Sequence, residues 1–296
     1  TIIDDIKATF FEVMTVMAVW YFNKKNADFA IMETGLGGKF DSVTACDANF
    51  FAITSISMDH SHILGENVEL IAKEKISAIS ASSEVYSVSQ DLSLNILIED
   101  WCKANKSSLC FVPTDDKLEL SLKGEHQKEN ASLALQVAKN FLTDWNVQTI
   151  NQCLLSINWH GRNQVLSNAP YIIFDVAHNE RGIQSFIKYI NTGLGGKYSK
   201  KTLLFSIQKN KIIQSISNEL ENSFDKIIYS QTNKKHSMEF NCIKSYFPSA
   251  KYIESPIDAL KVTISNAKKD ELIAIVGTHY WGDSIKSFFN ICFDNI

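Results

Sequence analysis

Residues 171–179 read YIIFDVAHN, and this stretch decides the fold class. Its first half, Tyr171–Phe174, is a short apolar run of the kind that forms a buried strand. The run ends at Asp175, and a helical pattern, Gly182–Ile190, follows the polar loop. Strand, polar loop and helix in this order form the unit of an open α/β sheet, in which ligands bind beyond the carboxyl ends of the strands.

The same alternation of strand and helix runs outward along the chain in both directions. Its 296 residues suggest two domains at roughly 150 residues each. We therefore expect a doubly wound α/β domain over residues 1–157 and a second, Rossmann-like α/β domain over residues 158–296. The expected helices include Ile6–Lys25 and Lys211–Leu220. The expected strands are Phe29–Met32, Phe50–Ile56, Glu84–Val88, Leu109–Val112, Leu118–Leu122, Tyr171–Phe174, Thr202–Ser206, Lys226–Tyr229, Lys251–Ile253 and Leu272–Val276.

The composition narrows the class of protein. The formal net charge of -4 argues against a broad basic surface for nucleic acid or for an anionic membrane. The most apolar stretch, Phe10–Phe22, contains Glu12 and is shorter than the roughly 20 residues that a membrane span needs. The 6 cysteines form no CxxC pair, which favours a reducing compartment. We expect a cytoplasmic protein with neither a nucleic acid nor a membrane as its partner.

Three polar clusters follow apolar runs, where an α/β sheet gathers its functional groups. The first is Glu33 with the glycine-rich loop Gly35–Gly38, which suits a Mg²⁺ ligand beside closely approaching backbone. The second is His60, which follows Asp59 and has the chemistry of a metal ligand or a base. The third is the segment 175–179, whose acid, imidazole and amide suit the positioning of a phosphate, a metal or an amine. Taken one at a time, each cluster is more simply explained as an ordinary capped turn.

Taken together, the clusters belong to a series of motifs that resembles one known family. The motifs METGLGGKFD (residues 32–41), ITSISMDH (53–60), IAKEK (71–75), GEHQKENA (124–131), WHGR (159–162), FDVAHN (174–179) and VGT (276–278) resemble EVGLGGRLDATN, ITSIGLDH, IAxEKAGI, GxHQxxNA, WPGR, LDGAHN and VTGS. These are segments of the folylpolyglutamate synthase/dihydrofolate synthase family of the Mur ligase superfamily. The matches keep the family order over nearly the whole chain, and the glycine-rich motif is fairly specific to the folate branch.

The resemblance implies an ATP-dependent amide ligase with a Mur-ligase-type central domain. In such enzymes, ATP phosphorylates the carboxylate of a folate or of dihydropteroate, and the amine of L-glutamate then attacks the acyl phosphate. Mg²⁺ offsets the charge of the phosphates, and a closed site keeps water from the acyl phosphate. The family is usually monomeric, so the resemblance also implies a monomer.

The same resemblance assigns roles by position within the matching motifs. It implies Glu33 and His60 as Mg²⁺ ligands, Lys75 as a carbamylated lysine that helps to hold a second metal, Asn130, Arg162 and Asp175 as ATP contacts, and His178 as a neighbour of ATP and the incoming glutamate. Lys75 and His178 are the expected catalytic residues. Taken alone, Lys75 is more simply a solvated lysine on a helix.

The chain departs from the family in one respect that concerns ATP. Family members open with a P-loop ending in Gly-Lys-Gly-Ser/Thr, whose amides and lysine hold the phosphates, and this sequence contains no such motif. The glycine-rich segment Gly193–Lys197 lies in the second domain and at no strand-to-helix turn, so it is no substitute. We therefore expect a fragment with an incomplete central sheet that is inactive alone.

Two other functions stay open. One is another Mur-type ligase, such as a peptidoglycan precursor synthetase, which the glycine-rich loop disfavours. The other is a catalytically dead paralogue that binds a folate or a partner protein. The sequence does not distinguish dihydropteroate from folate as the substrate, and it says nothing about the length of a polyglutamate product.

Overall fold

The chain forms two compact units in a computed structural model, which describes residues 6–211 and 213–291. The first unit runs up to Pro113 and takes in Leu133–Phe141 as well. The second unit comprises Thr114–Ser132 and the residues from Leu142 onward. This division lies elsewhere than the expected domain boundary after residue 157, which stays a prediction.

The first unit is built around a parallel sheet of three strands in the order β1-β2-β3. Each strand is followed by helical residues, as parallel pairing requires. The elements are α1 (Phe10–Lys24), β1 (Phe50–Ile53), α2 (Ser61–Leu64), α3 (Val68–Ile76), β2 (Glu84–Val88), α4 (Leu92–Ala104) and β3 (Ser108–Val112), and α5 (Glu125–Ala138) brings its last residues into this unit.

Local sequence explains where two of these helices begin. Thr9 and Glu12 form a capping box at the start of α1, in which each side chain bonds the backbone N–H of the other residue. Asn67 caps α3 by accepting a hydrogen bond from the N–H of Leu70. The buried faces of α3 and α4 then pack on the sheet through Ile71, Ala72, Ile76, Leu94, Ile98 and Cys102.

Several expected elements of the chain differ from the structure; the strand expected over Phe50–Ile56, for example, is the shorter β1. The segments Phe29–Met32 and Leu118–Leu122 are not strands, so these two predictions are wrong. Phe29 and Ile31 are 60% and 95% exposed, and a strand needs a neighbour to pair its backbone groups. The helix expected over Lys211–Leu220 includes Ile212, which lies outside the described residues, and the structure has the shorter α8, Ser217–Ser223, instead.

The second unit contains a sheet of six strands in the order β4-β5-β9-β6-β7-β8. Only the edge strand β4 is antiparallel to its neighbour, and the other pairs are parallel. The elements are α6 (Val147–Ser156), β4 (Gln164–Asn168), β5 (Tyr171–Phe174), α7 (Glu180–Lys188), β6 (Lys201–Phe205), α8, β7 (Lys226–Tyr229), α9 (Phe240–Tyr246), β8 (Lys251–Tyr252), α10 (Pro256–Ser265), β9 (Leu272–Val276) and α11 (Gly282–Phe289). The α/β class predicted from the sequence is confirmed.

Helices cover both faces of this sheet. One core cluster joins α7, α8 and α9 to the sheet, with Phe186, Leu220 and Ile243 among its members. A second cluster joins α10 and α11 to the other face through residues such as Leu260 and Ile285. The helix α7, which follows β5, and the helix α11, which follows the neighbouring strand β9, therefore lie on opposite faces of the sheet. Such an arrangement leaves a crevice at the carboxyl ends of the two strands.

Within the described ranges, no helix is both long and apolar enough to cross a membrane.

Candidate functional site

The loop between β5 and α7 forms one side of the crevice in the second unit, and Asp175 is its structural centre. The carboxylate is 5% exposed. Its Oδ2 accepts a hydrogen bond from the N–H of Asn163 at 2.7 Å, and its Oδ1 accepts one from the N–H of Ala177 at 2.7 Å. Asp175 thus organises two stretches of backbone, and its side chain points into the unit.

The surroundings of Asp175 shift its acidity. Burial raises the pKa of this carboxyl to about 6, since a charged group loses hydration there. The two backbone N–H groups and the positive charge of Arg162 act in the opposite direction and limit the shift. The carboxyl therefore titrates close to neutral pH and remains mostly ionised at pH 7.

His178 ends the same loop with a defined ring orientation. Its Nδ1 lies 2.9 Å from the carbonyl oxygen of Val176, and because a carbonyl only accepts, Nδ1 carries the proton. Nε2 is then the nitrogen with the lone pair in the neutral ring. Burial lowers the pKa of His279, which follows β9, and the charge of His178 lowers it further. The loops after β5 and β9 therefore place two imidazoles close enough for their charges to interact.

Arg162 lies in a tight turn that is joined to the same loop. Gly161 has a φ of 72°, and its carbonyl accepts the N–H of Val176 at 2.9 Å. A side chain at position 161 would come within 2.6 Å of a methyl carbon of Val176, so the turn requires glycine. Arg162 is exposed, which leaves its guanidinium accessible to an anion.

The start of α5 adds a half-buried imidazole, His126, to this unit. His126 accepts a hydrogen bond from Gln127 Nε2 at 3.0 Å through Nε2, and its Nδ1 lies 2.6 Å from Ser185 Oγ. Burial lowers the pKa of His126, and the charges of Arg162 and Arg181 lower it further. The ring is therefore neutral at pH 7.

Asn130 lies on the next turn of α5 and is exposed. Its Nδ2 is 3.4 Å from Gln127 Oε1, at the long end of the hydrogen-bond range. Of the residues expected to contact ATP, the second unit thus presents Asn130 and Arg162 at the surface and Asp175 in the interior.

In the first unit, Asp41 holds the glycine-rich loop in shape. Its carboxylate accepts the backbone N–H groups of Gly35 at 3.0 Å, Leu36 at 2.9 Å and Val43 at 2.9 Å. The same loop packs closely on α3, because a side chain at Gly38 would come within 2.8 Å of the carbonyl oxygen of Lys75. Backbone therefore approaches backbone here, which only glycine permits.

The expected metal ligands and Lys75 lie on the segments that this loop joins. Glu33 precedes the loop and is exposed, and Lys75 is exposed near the end of α3. His60 has a left-handed φ of 50° and stands before α2, with its Nε2 3.8 Å from Asp59 Oδ1. A side chain at Gly37 would meet Leu64 of α2, so the loop lies against α2 as well as α3.

Among the described residues, protein side chains alone do not form a complete metal-binding cluster. Across the part of the chain that the structure describes, no three His, Cys, Asp or Glu side chains come together in a way that could hold a metal ion. Mg²⁺ commonly takes one or two protein ligands and completes its shell with water and phosphate oxygens. The carboxylate of Glu33 suits such a partial site, whereas the imidazole of His60 is a less usual ligand for Mg²⁺; the role of both residues as metal ligands stays a prediction.

Three residues in these sites were not singled out from the sequence. Asp41 stands inside the quoted motif METGLGGKFD, and an acidic residue shortly after a glycine-rich loop is a signal for a backbone acceptor. His126 likewise belongs to a quoted motif without an assigned role. Asn163 carries no sequence signal, because its role depends on a left-handed backbone conformation that only the folded chain reveals.

Comparison with known proteins finds folate enzymes among those similar to this chain. No protein-family profile matches it. The dihydrofolate synthase/folylpolyglutamate synthase of Bacillus subtilis (strain 168) is 28% identical over 310 aligned residues, which cover 94% of this chain and 71% of that protein. The enzyme of the same name from Escherichia coli (strain K12) is 30% identical over 197 residues, which cover 59% of this chain and 45% of that protein.

A solved structure gives the corresponding result for the fold. Mycobacterium tuberculosis folylpolyglutamate synthase complexed with ADP and AMPPCP matches with a TM-score of 0.85 and 22% identity, over 95% of this chain and 73% of that chain. The match confirms the predicted fold, in which an α/β central domain is followed by a Rossmann-like domain.

Proposed function

The chain is a homologue of the folylpolyglutamate/dihydrofolate synthases, and from that premise we propose that it carries most of an ATP-dependent ligase that joins L-glutamate to a folate or to dihydropteroate. The carboxylate of the acceptor is activated as an acyl phosphate, and the amine of glutamate displaces the phosphate. The chain spans 71% of the Bacillus relative and 45% of the Escherichia coli relative, so the activity is proposed for the whole protein to which these residues belong.

The observation that carries the proposal is the loop 175–179 at the crevice of the second sheet. Its acid is held by two backbone N–H groups, its imidazole has a defined tautomer, and its asparagine caps α7 through Gly182. Polar groups that are held in place before the reaction suit the transfer of a phosphoryl group and then of an acyl group, because both reactions need charged atoms to be positioned and water to be excluded. The loop lies where ligands of open α/β sheets bind.

We assign distinct tasks to the residues of the second unit. Arg162 is accessible and binds phosphate oxygens, for which its planar fork of donors is suited. Asn130 contributes a neutral amide to the nucleotide. Asp175 supports the nucleotide site by holding the backbone of the loop, and His178 lies close to the incoming glutamate, from whose amine it accepts a proton.

The residues of the first unit serve the cation and the phosphates. Glu33 and His60 would hold Mg²⁺, which when bound offsets the charge of the phosphate groups. Lys75 stands beside the glycine-rich loop and, once carbamylated, would offer a carboxylate-like group to a second cation. The loop itself supplies closely approaching backbone next to that position.

Ligation assays with two proteins test the proposal. The 296-residue chain is expected to form no glutamylated product from folate or dihydropteroate with ATP, Mg²⁺ and glutamate, because it contains no phosphate-binding Gly-Lys-Gly-Ser/Thr loop. A chimera that supplies such a segment from a family member is expected to release phosphate and form the amide together.

Two variants and one substrate panel sharpen the assay. In the chimera, His178→Ala should lower kcat by about 10²-fold or more, and Arg162→Ala should chiefly raise the KM for ATP. A chimera that binds ATP but ligates no glutamate to either pterin substrate would overturn the proposal. Turnover with UDP-linked muramyl compounds instead of folates would assign the chain to another Mur-type ligase.

A further inference from the structure

Asn163 connects two parts of the second unit that carry expected site residues. We propose that Asn163 is a positioning residue, which ties the turn before α5 to the carboxylate of Asp175 and so holds the two segments in register. Its importance for ligation rests on the proposed function, whereas the coupling itself is a property of the folded chain.

The contacts of Asn163 run in two directions. Its backbone N–H donates to Asp175 Oδ2 at 2.7 Å, and its side-chain Nδ2 donates to the carbonyl oxygen of Lys123 at 2.8 Å. The packing around this amide is tight, since a side chain at Gly124 would come within 3.1 Å of Nδ2. One residue thus bonds both a loop after β5 and a turn that is about 40 positions earlier in the chain.

Each end of this connection leads to expected site residues. The turn at Lys123 leads directly into α5, which carries the half-buried His126 and the exposed Asn130. The other end is Asp175, whose second oxygen holds the N–H of Ala177, just before His178. A shift of Asn163 would therefore move donors and acceptors in both segments together.

The chemistry of Asn163 indicates a role in position more than in stability. It has a left-handed φ of 47°, a conformation that asparagine tolerates better than most residues. It is 2% exposed, yet Oδ1 has no hydrogen-bond partner among the described residues. A buried acceptor without a donor is unfavourable, so an amide that served stability alone would be a poor choice for this position.

Two substitutions separate the side chain from the backbone conformation. Asn163→Gly keeps the left-handed backbone and removes both the bond to Lys123 and the unpartnered oxygen. Asn163→Asp introduces a side chain of the same shape that also tolerates a left-handed backbone, but it places a carboxylate oxygen against the Lys123 carbonyl and near Asp175. Asn290→Gly is the matched control, because Asn290 has a similar φ of 53° and is exposed at the end of α11.

The measurement is the titration of Asp175 in the full chain, followed by NMR with aspartate labelled at the carboxyl carbon and assigned with Asp175→Asn. In Asn163→Gly the backbone N–H at position 163 should move away from Asp175 Oδ2, and the pKa of Asp175 should rise by about one unit. The midpoint of thermal unfolding should change by less than about 3 °C. Asn163→Asp should raise the pKa of Asp175 further, whereas Asn290→Gly should leave it unchanged.

Either of two results would overturn the proposal. An unchanged titration of Asp175 in Asn163→Gly, with or without a loss of stability, would show that the side chain does not control the carboxylate. A similar shift in Asn290→Gly would show that the effect is not specific to this position. No substrate enters the measurement, so a failure of the proposed ligase activity leaves this test intact.

Discussion

At the scale of single residues, two aspartates hold loops in shape by accepting successive backbone N–H groups, and they differ in burial. Asp41 binds the N–H groups of Gly35, Leu36 and Val43 in a partly exposed loop. Asp175 binds two N–H groups in the interior. Burial disfavours the charged form of Asp175 and raises the pKa of that carboxyl, although its two N–H bonds act in the opposite direction.

The raised pKa of Asp175 predicts a pH-dependent stability. The pKa is about 6 in the folded chain against an ordinary value of 3.8 for an aspartate, so the folded state holds the proton more tightly. The contribution to the free energy of unfolding is therefore full below about pH 4 and is lost as pH rises through about 6, with a size on the order of 3 kcal/mol. Urea unfolding from pH 4 to pH 7 measures it.

Asp175→Asn removes the titrating group, so the fall in stability across this pH range should be much smaller in that variant. Asp283→Asn changes an exposed carboxylate of the same unit and should keep the fall seen in the parent chain. An identical pH dependence in the parent and in Asp175→Asn would contradict the prediction.

Asp41→Ala is predicted to destabilise the first unit. Three backbone N–H groups lose their acceptor, and water can replace it only in part, so the free energy of unfolding should fall by about 1–2 kcal/mol. Chemical denaturation checks the value. Asp100→Ala, on the exposed face of α4, should change it by less than about 0.5 kcal/mol; equal effects would exclude a special role for Asp41.

At the scale of elements, the close approach of the glycine-rich loop to α3 is the contact that gathers the expected residues of the first unit. Gly38→Ala would force a methyl group against the carbonyl oxygens of Glu74 and Lys75. Backbone atoms cannot move aside as a flexible side chain can, so we predict a loss of about 1–3 kcal/mol in the free energy of unfolding.

A substitution at Gly196 serves as the control for Gly38→Ala, because replacing any glycine also reduces the conformational freedom of the backbone. Gly196 has no atom within 4 Å of an added side chain, and its φ is 72°. Gly196→Asn should therefore change stability by less than about 0.5 kcal/mol, because asparagine tolerates a left-handed backbone. If Gly38→Ala proved equally harmless under the same denaturant titration, the loop could not pack on α3 as described.

The accuracy of the sequence prediction also varies by element. The predicted bounds of the strands β2, β5, β7 and β9 are the same as those in the structure. These strands are short apolar runs between polar residues, a local pattern that indicates a buried strand. Phe29–Met32 has the same local pattern and is not a strand, since pairing depends on a neighbour that no local pattern specifies. Asp175 was predicted at the end of its strand, but its inward orientation depends on the backbone of Asn163.

At the scale of the whole molecule, the helix α1 exposes an unusual amount of apolar surface. Phe10 is 81% exposed, and Val16 is 69% exposed. Further exposed apolar side chains on this helix are Phe11, Met14, Met17, Val19, Trp20 and Tyr21. An apolar surface of this extent is unusual for a monomer in water and promotes association.

We predict that this helix makes the isolated chain self-associate and bind a hydrophobic dye. The double change Phe10→Glu and Val16→Glu should reduce dye fluorescence and shift the sedimentation velocity distribution toward the monomer, because charges interrupt the apolar surface. Val262→Glu, at a 45% exposed position of α10, should alter neither. If the double variant associates as strongly as the parent chain, the surface responsible for self-association does not lie on α1.

The chain order of the first unit bears on its synthesis. Leu133 and Val137 complete the core cluster of Tyr86, Val88 and Val112, yet residues 114–132 belong to the other unit. During synthesis on the ribosome, the core on the sheet of β1, β2 and β3 therefore stays incomplete until the end of α5 has emerged. At about 5–20 residues per second, the nascent chain spends a few seconds with this core open, an interval in which a chaperone can bind it.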